Sequence, residues 1–241
     1  MDGFDPRTSF GPRVAAHYDD EPRGDEEDTV AFLAGLAAGR PVCELAIGTG
    51  RIALPLAATG LEVCGIDLSQ AMLDRLQQRP GGADLRVVQG DMASEAPDGE
   101  FGLIYLVFNT IGNVLTQQGQ VDVFRNAASR LTDDGVFVVE TSTLWASVLA
   151  EQFVNAERLG TDTVVLDVNR YDRATQMLSE NHVTLSAEGV RMGPIAQRLT
   201  TPAELDLMAQ LAGLRLVDRY GGWRGEPFTS DSGMHVSVWG R

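Results

Sequence analysis

The chain contains no lysine; all 19 of its basic side chains are arginines. That absence removes the Tyr-x-x-x-Lys arrangement used for hydride transfer in many nicotinamide-dependent oxidoreductases. Positive charge is scarce overall, because 34 acidic residues outweigh those arginines and leave a net charge of −15. Phosphate backbones are gripped by clustered Lys and Arg, so nucleic acid is excluded as a substrate, while a cationic or neutral small molecule is compatible. The two cysteines, Cys43 and Cys64, both fall in apolar runs that read as buried strands. No Cys/His spacing suggests zinc, so no metal is expected, and the pair reads as small core residues in a reducing cytoplasm. Histidine is limited to His17, His182 and His235. There is no apolar run long enough to cross a bilayer and no signal-peptide-like start, so a cytoplasmic protein without a membrane partner is expected.

What remains is an ordinary globular composition over 241 residues, 44% hydrophobic and 22% charged. That suits one large α/β domain with a small appendage. The chain is organised around residues 42–68, VCELAIGTGRIALPLAATGLEVCGIDL. An apolar run, 42–45, is followed by a turn rich in small residues (Ala46, Gly48, Gly50), a helical stretch over 51–58, a second apolar run over 61–66, and the acid Asp67. Glycine lets a backbone adopt positive φ and pass close to a ligand. A helix start directs free N–H groups over such a turn. A carboxylate roughly 20 residues further on, at the tip of the second strand, can accept both hydroxyls of a ribose. The site is built for a nucleoside.

The acid at the end of the first strand, Glu44, separates the alternatives. It would repel a pyrophosphate but suits an ammonium. With Glu44-x-Ala46-x-Gly48-x-Gly50, the stretch resembles motif I of the class I S-adenosylmethionine-dependent methyltransferases, E/D-x-G-x-G-x-G. It departs at Ala46, which predicts a slightly tighter turn and an intact site.

Strands at 85–88, 101–108 and 136–140 alternate with helices at 25–38, 70–79 and 116–131, as in a parallel, doubly wound sheet. The run 101–108 is nearly all apolar, as for a central strand buried on both faces. The period changes to two over 162–198, which reads as an inserted antiparallel sheet covering the site. Thr201-Pro202-Ala203-Glu204 is a capped helix start, with Leu205, Met208 and Leu211 as its apolar face. Strands at 214–220 and 234–239 close the chain. The expected architecture is a Rossmann-like α/β fold of seven strands, the last antiparallel, with a small antiparallel insert. Residues 1–24 form a lid segment, 25–160 and 199–241 the cofactor domain, and 161–198 the insert. The layout resembles the small-molecule branch of the family, which tailors natural products and amino sugars.

The resemblance implies roles residue by residue. Glu44 would face the methionyl ammonium and Arg51 the methionyl carboxylate, with Ala46, Gly48 and Gly50 beneath. Asp67 would hold the ribose hydroxyls, Leu68 and Met72 would lie along the nucleoside, and Asp91 with Met92 would take the adenine. Val107 and Phe108 would close the far side, with Tyr18 folding over as part of the lid. Candidate walls for the acceptor are Phe10, Asn109, Asn113, Trp145, Arg198 and Trp223. Tyr18 and His182 are the candidate catalytic groups, and His235 reads as structural. No His–acid pair is visible in the sequence, which favours an amine acceptor over a hydroxyl, since an amine needs only its neutral lone pair. The competing readings are O-methylation, a non-catalytic S-adenosylmethionine-binding module and a nicotinamide oxidoreductase. The insert's sheet edges could also pair between subunits.

Overall fold

The computed structural model describes residues 9–20, 23–143 and 151–241. Helix α1, Pro12–His17, lies in the lid segment. Helix α2, Glu26–Ala37, opens with three acids in its first turn and stops where Ala38 turns left-handed at φ 49°. The acids complement the positive end of the helix dipole.

The main sheet comprises β1 Val42–Leu45, β2 Val63–Asp67, β3 Arg86–Gln89, β4 Phe101–Leu106, β5 Leu131–Ser142, β10 Arg215–Tyr220 and β11 Met234–Gly240. Their spatial order is β10-β11-β5-β4-β1-β2-β3. Strand β11 runs antiparallel to both neighbours, as expected. Strands β1 and β4 are buried at every position. The strand order reverses between them, so a crevice opens beyond their carboxyl ends.

Helices α3 Ala53–Ala57, α4 Gln70–Gln77, α5 Gln117–Arg130 and α6 Pro202–Leu211 supply the crossovers. Ser69, Thr116 and Thr201 cap α4, α5 and α6 through their hydroxyls. Three details differ from the sequence reading. Helix α3 starts at Ala53, leaving Arg51 in the turn. Leu211 is 63% exposed, and Ala209 completes the buried face of α6 in its place. Strand β5 begins at Leu131, not at 136, and its first residues take up a register shift against β4.

Between β5 and α6 lies a second antiparallel sheet, β6 Gln152–Leu159, β7 Thr163–Asp172, β8 Met177–Ser186 and β9 Gly189–Arg198, in that spatial order. It starts at residue 152, not 161, because the polar strand β6 carries no strict alternation. One face is polar and turned inward, with Asp167, Asn169 and Tyr171 buried; the other presents Val154, Val168, Leu185, Val190 and Met192 to solvent. Cys43 and Cys64 are buried, unbridged neighbours across β1 and β2. Among the described residues no helix is long and apolar enough to cross a membrane.

Candidate active site

The turn after β1 is left-handed at three positions: Ala46 (φ 56°), Gly48 (φ 56°) and Gly50 (φ 79°). A Cβ on Gly50 would meet Leu76 Cδ1 at 2.3 Å, whereas a Cβ on Gly48 would have only the Ala46 carbonyl, at 4.0 Å. Gly50 is therefore fixed by the packing of α3 and α4, and Gly48 leaves open space for a ligand. Ala46 holds the same backbone shape with a Cβ, at a cost of about 1–2 kcal/mol.

Asp67 ends β2 with both carboxylate oxygens engaged: Gly48 N–H and Ser69 N–H each donate to it at 2.8 Å. Burial raises its pKa while those N–H groups pull it back. Glu44 is deeper, and the Tyr105 hydroxyl from neighbouring β4 donates to it at 2.8 Å. Burial pushes Glu44 up to about 8, against the lowering by Tyr105. Tyr18, Glu44, Gly48, Arg51 and Phe108 border one small cavity above the turn. Leu68 borders a second hollow of about 470 Å³ with Gln89 and α4.

At the floor, Phe108 (φ 62°) and Asn109 (φ 57°) are both left-handed without being glycine. Such strain persists only where neighbours over-determine it. Here the end of β5 does so. Phe108 N–H donates to Glu140, and Asn109 Oδ1 accepts from the Thr141 hydroxyl at 2.9 Å and from Ser142 N–H. Burial pushes Glu140 up to about 7. Sequence reasoning missed Glu140 and Tyr105, because each acts on a strand that is adjacent only in the folded sheet.

The N-terminal segment is fastened at two points. Ser69 donates to the Phe10 carbonyl at 2.6 Å and Thr49 to Asp19 at 2.8 Å. Phe10 packs edge-on against Tyr18, whose pKa burial raises. Arg23 lies 4.9 Å from the Phe108 ring centre and 5.5 Å from that of Tyr18.

Several expected site residues have other partners in the fold. Arg51 contacts Asp25 at 2.5 Å and Glu26 at 3.3 Å. Asp91 is exposed and accepts from Ala93 N–H at 2.9 Å, capping its own turn. Met92 packs on the main core, and Met72 is buried within α4. Arg198, expected as a wall of the acceptor site, is 5% exposed and reaches Gln120, Gln176 and Glu204 at 2.6 Å each, joining the insert to α5 and α6. Trp223 packs against Phe32 of α2 in the second core cluster. Asn113 Oδ1 is buried without a partner. Trp145 lies outside the described residues. His235 is wholly buried beside Phe228 and Ser237, and burial pushes it down to about 4.

The expectation of no His–acid pair is overturned. His182 Nδ1 contacts Asp167 Oδ1, since register sets the two residues directly opposite on β8 and β7. Fifteen positions separate them in the chain, too far for any local pattern. Glu157 sits in the bulge of β6, and its ligand atom, with those of Asp167 and His182, forms a group within 4.8 Å.

Residues 42–135 match the family described as a methyltransferase domain. The structure superposes on the CcbJ methyltransferase from Streptomyces caelestis with a TM-score of 0.91, 36% identity, and 98% and 99% of the two chains covered. A cypemycin N-terminal methyltransferase from a Streptomyces species is 28% identical over 80% of each chain. The S-adenosylmethionine-bound amino pentose methyltransferase CalS10 from Micromonospora echinaspora shares the fold at a TM-score of 0.68 and 19% identity. The open space over Gly48, the buried Glu44 and the strand-end Asp67 suit an S-adenosyl ligand, and with these likenesses they show that the chain belongs to the S-adenosylmethionine-dependent methyltransferases of natural-product type.

Proposed function

We propose that this chain methylates the amine nitrogen of a small-molecule acceptor, a secondary metabolite or an amino sugar. One observation carries the reading. The inward face of the insert gathers Glu157, Asp167 and Glu180 around His182; the hydrogen bond with Asp167 and burial push Glu157 up, and burial pushes Glu180 up, so the cluster is stabilised by a nearby cation. Small amines are cations near neutrality, and such a field concentrates them. A relative named for N-terminal methylation supports the same acceptor chemistry.

S-adenosylmethionine supplies an electrophilic methyl group on a sulfonium. The chain must hold it in line with the acceptor and exclude water. In this reading Glu44 faces the methionyl ammonium, Asp67 the ribose hydroxyls, and Val107 and Phe108 the far side. Tyr18 seals the cavity from the lid. Asp91 and Arg51 take their expected ligand contacts only by giving up the partners described above.

A hydroxyl acceptor is the second reading, favoured by the His182–Asp167 pair, which suits removal of a hydroxyl proton. Mass spectrometry across a panel of matched amines and alcohols with S-adenosylmethionine tests both. Methylated amines are expected, and methylation confined to alcohols would refute the amine reading. The exposed apolar face of the insert supports self-association. Four strands of eight to ten residues span on the order of 600 Å² at ordinary strand spacings, near the ~800 Å² per partner of a standard interface. The unbridged buried cysteines fit a cytoplasmic location.

A further inference from the structure

We propose that Asp167 is a positioning residue for methyl transfer, holding the His182 ring so that its Nε2 takes the proton the acceptor nitrogen must lose. This rests on the reading that the inward face of the insert borders the acceptor. The pair is built for that division of labour. The Asp167 side chain is 7% exposed and that of His182 is 38% exposed, so the carboxylate lies beneath and the ring stays accessible. The Asn169 side chain, itself buried, donates to the Asp167 carbonyl at 3.1 Å and steadies the strand there. An ionised carboxylate can only accept, so Nδ1 carries the ring proton and Nε2 keeps its lone pair.

The charged groups around the ring come from each packed element. Asp167 lies on β7, Glu157 on the β6 bulge and Glu180 on β8 itself, while β9 places uncharged Gly193 opposite. Arg23 acts on Glu157 from the lid side and also lies over Phe108. Arg23 is thus the charge shared between the insert's polar face and the rim of the cofactor cleft.

A protonated amine gives its proton to His182 Nε2, and the imidazole becomes imidazolium. The freed nitrogen lone pair forms the N–C bond while the C–S bond breaks and its electron pair returns to sulfur. The product is an N-methylammonium with a neutral thioether, and the imidazolium loses its proton to solvent.

The test uses the full chain with ¹⁵N-labelled histidine, His182→Gln assigning its signals. Wild type should show the Nδ1–H tautomer at His182, and Asp167→Asn should shift it to the other tautomer while His17 and His235 stay unchanged. Methylation of benzylamine, with benzyl alcohol alongside, should fall about 100-fold or more in both variants. That loss should shrink as pH rises and the amine deprotonates without help, whereas a merely structural defect would lower the rate equally at all pH values. Stabilisation by S-adenosylhomocysteine should persist in both variants. A proton on Nε2, a tautomer indifferent to Asp167→Asn, or a pH-independent loss would overturn the proposal. So would tight Zn²⁺ binding to Glu157, Asp167 and His182, which would assign the cluster to a metal. Methylation of benzyl alcohol alone, with the same losses, would keep the dyad and refute the amine reading. If neither probe is methylated, the tautomer measurement decides.

Discussion

Replacing Glu44 by glutamine should change how stability depends on pH, and the direction follows from burial. Glu44 titrates near 8 in the fold, against 4.5 for an ordinary glutamate. Below 4.5 it is protonated in both folded and unfolded chains and costs the fold nothing. As pH rises from 4.5 to 8 the unfolded chain loses its proton and the folded chain keeps it, so stability declines across that window and levels off above it. Each pH unit is worth about 1.4 kcal/mol, and the window therefore holds on the order of 4–5 kcal/mol. A glutamine amide in the same place cannot titrate, and its carbonyl can still accept the Tyr105 hydroxyl. The Glu44→Gln variant should match the parent, or fall slightly below it, at about pH 5 and overtake it as pH rises. For a chain of this length 1 kcal/mol moves the melting point by about 2–4 °C, so by about pH 8 the difference should be on the order of 10 °C. Glu140, pushed up to about 7, slopes both proteins alike and cancels in the difference. Calorimetry in steps of about half a unit from roughly pH 5 to 8.5 measures it. Two parallel melting curves would refute the claim that Glu44 is held neutral by burial.

Three further outcomes follow from the same geometry. Asp67→Ala should abolish the melting shift produced by S-adenosylhomocysteine, which in the parent is about 5–10 °C at a hundredfold excess over Kd; an undiminished shift would remove Asp67 from the cofactor site. Arg198→Ala strands Glu204 and two glutamines at the joint between the sheets, and should cost about 3–5 kcal/mol by urea titration. Replacing both Val168 and Met192, at 43% and 50% exposure, by lysine should yield monomers by sedimentation without changing the melting point in S-adenosylhomocysteine; a parent that is already monomeric would refute the self-association.

The sequence by itself determined the small-residue turn and the acid that closes on it. Residues 42–68 place a turn, a helix and an acid within one βαβ unit, so their geometry is local, and Asp67 indeed sits against Gly48. Burial on both faces made β1 and β4 readable as apolar runs, and the Thr201 cap marked the start of α6. Tertiary structure decided what depends on strands meeting side by side. Tyr105 reaches Glu44 and Glu140 reaches Phe108 because β4 neighbours β1 and β5. Asp167 meets His182 only through the β7–β8 register. The guanidinium of Arg198 ties β9 to α5 and α6, contacts that no local pattern announces, and β6 lacked any alternation that could announce it. Local spacing fixes what lies within one turn or one crossover. Which carboxylate is neutral, and that His182 meets Asp167, is set by burial and by sheet order, which no single segment contains.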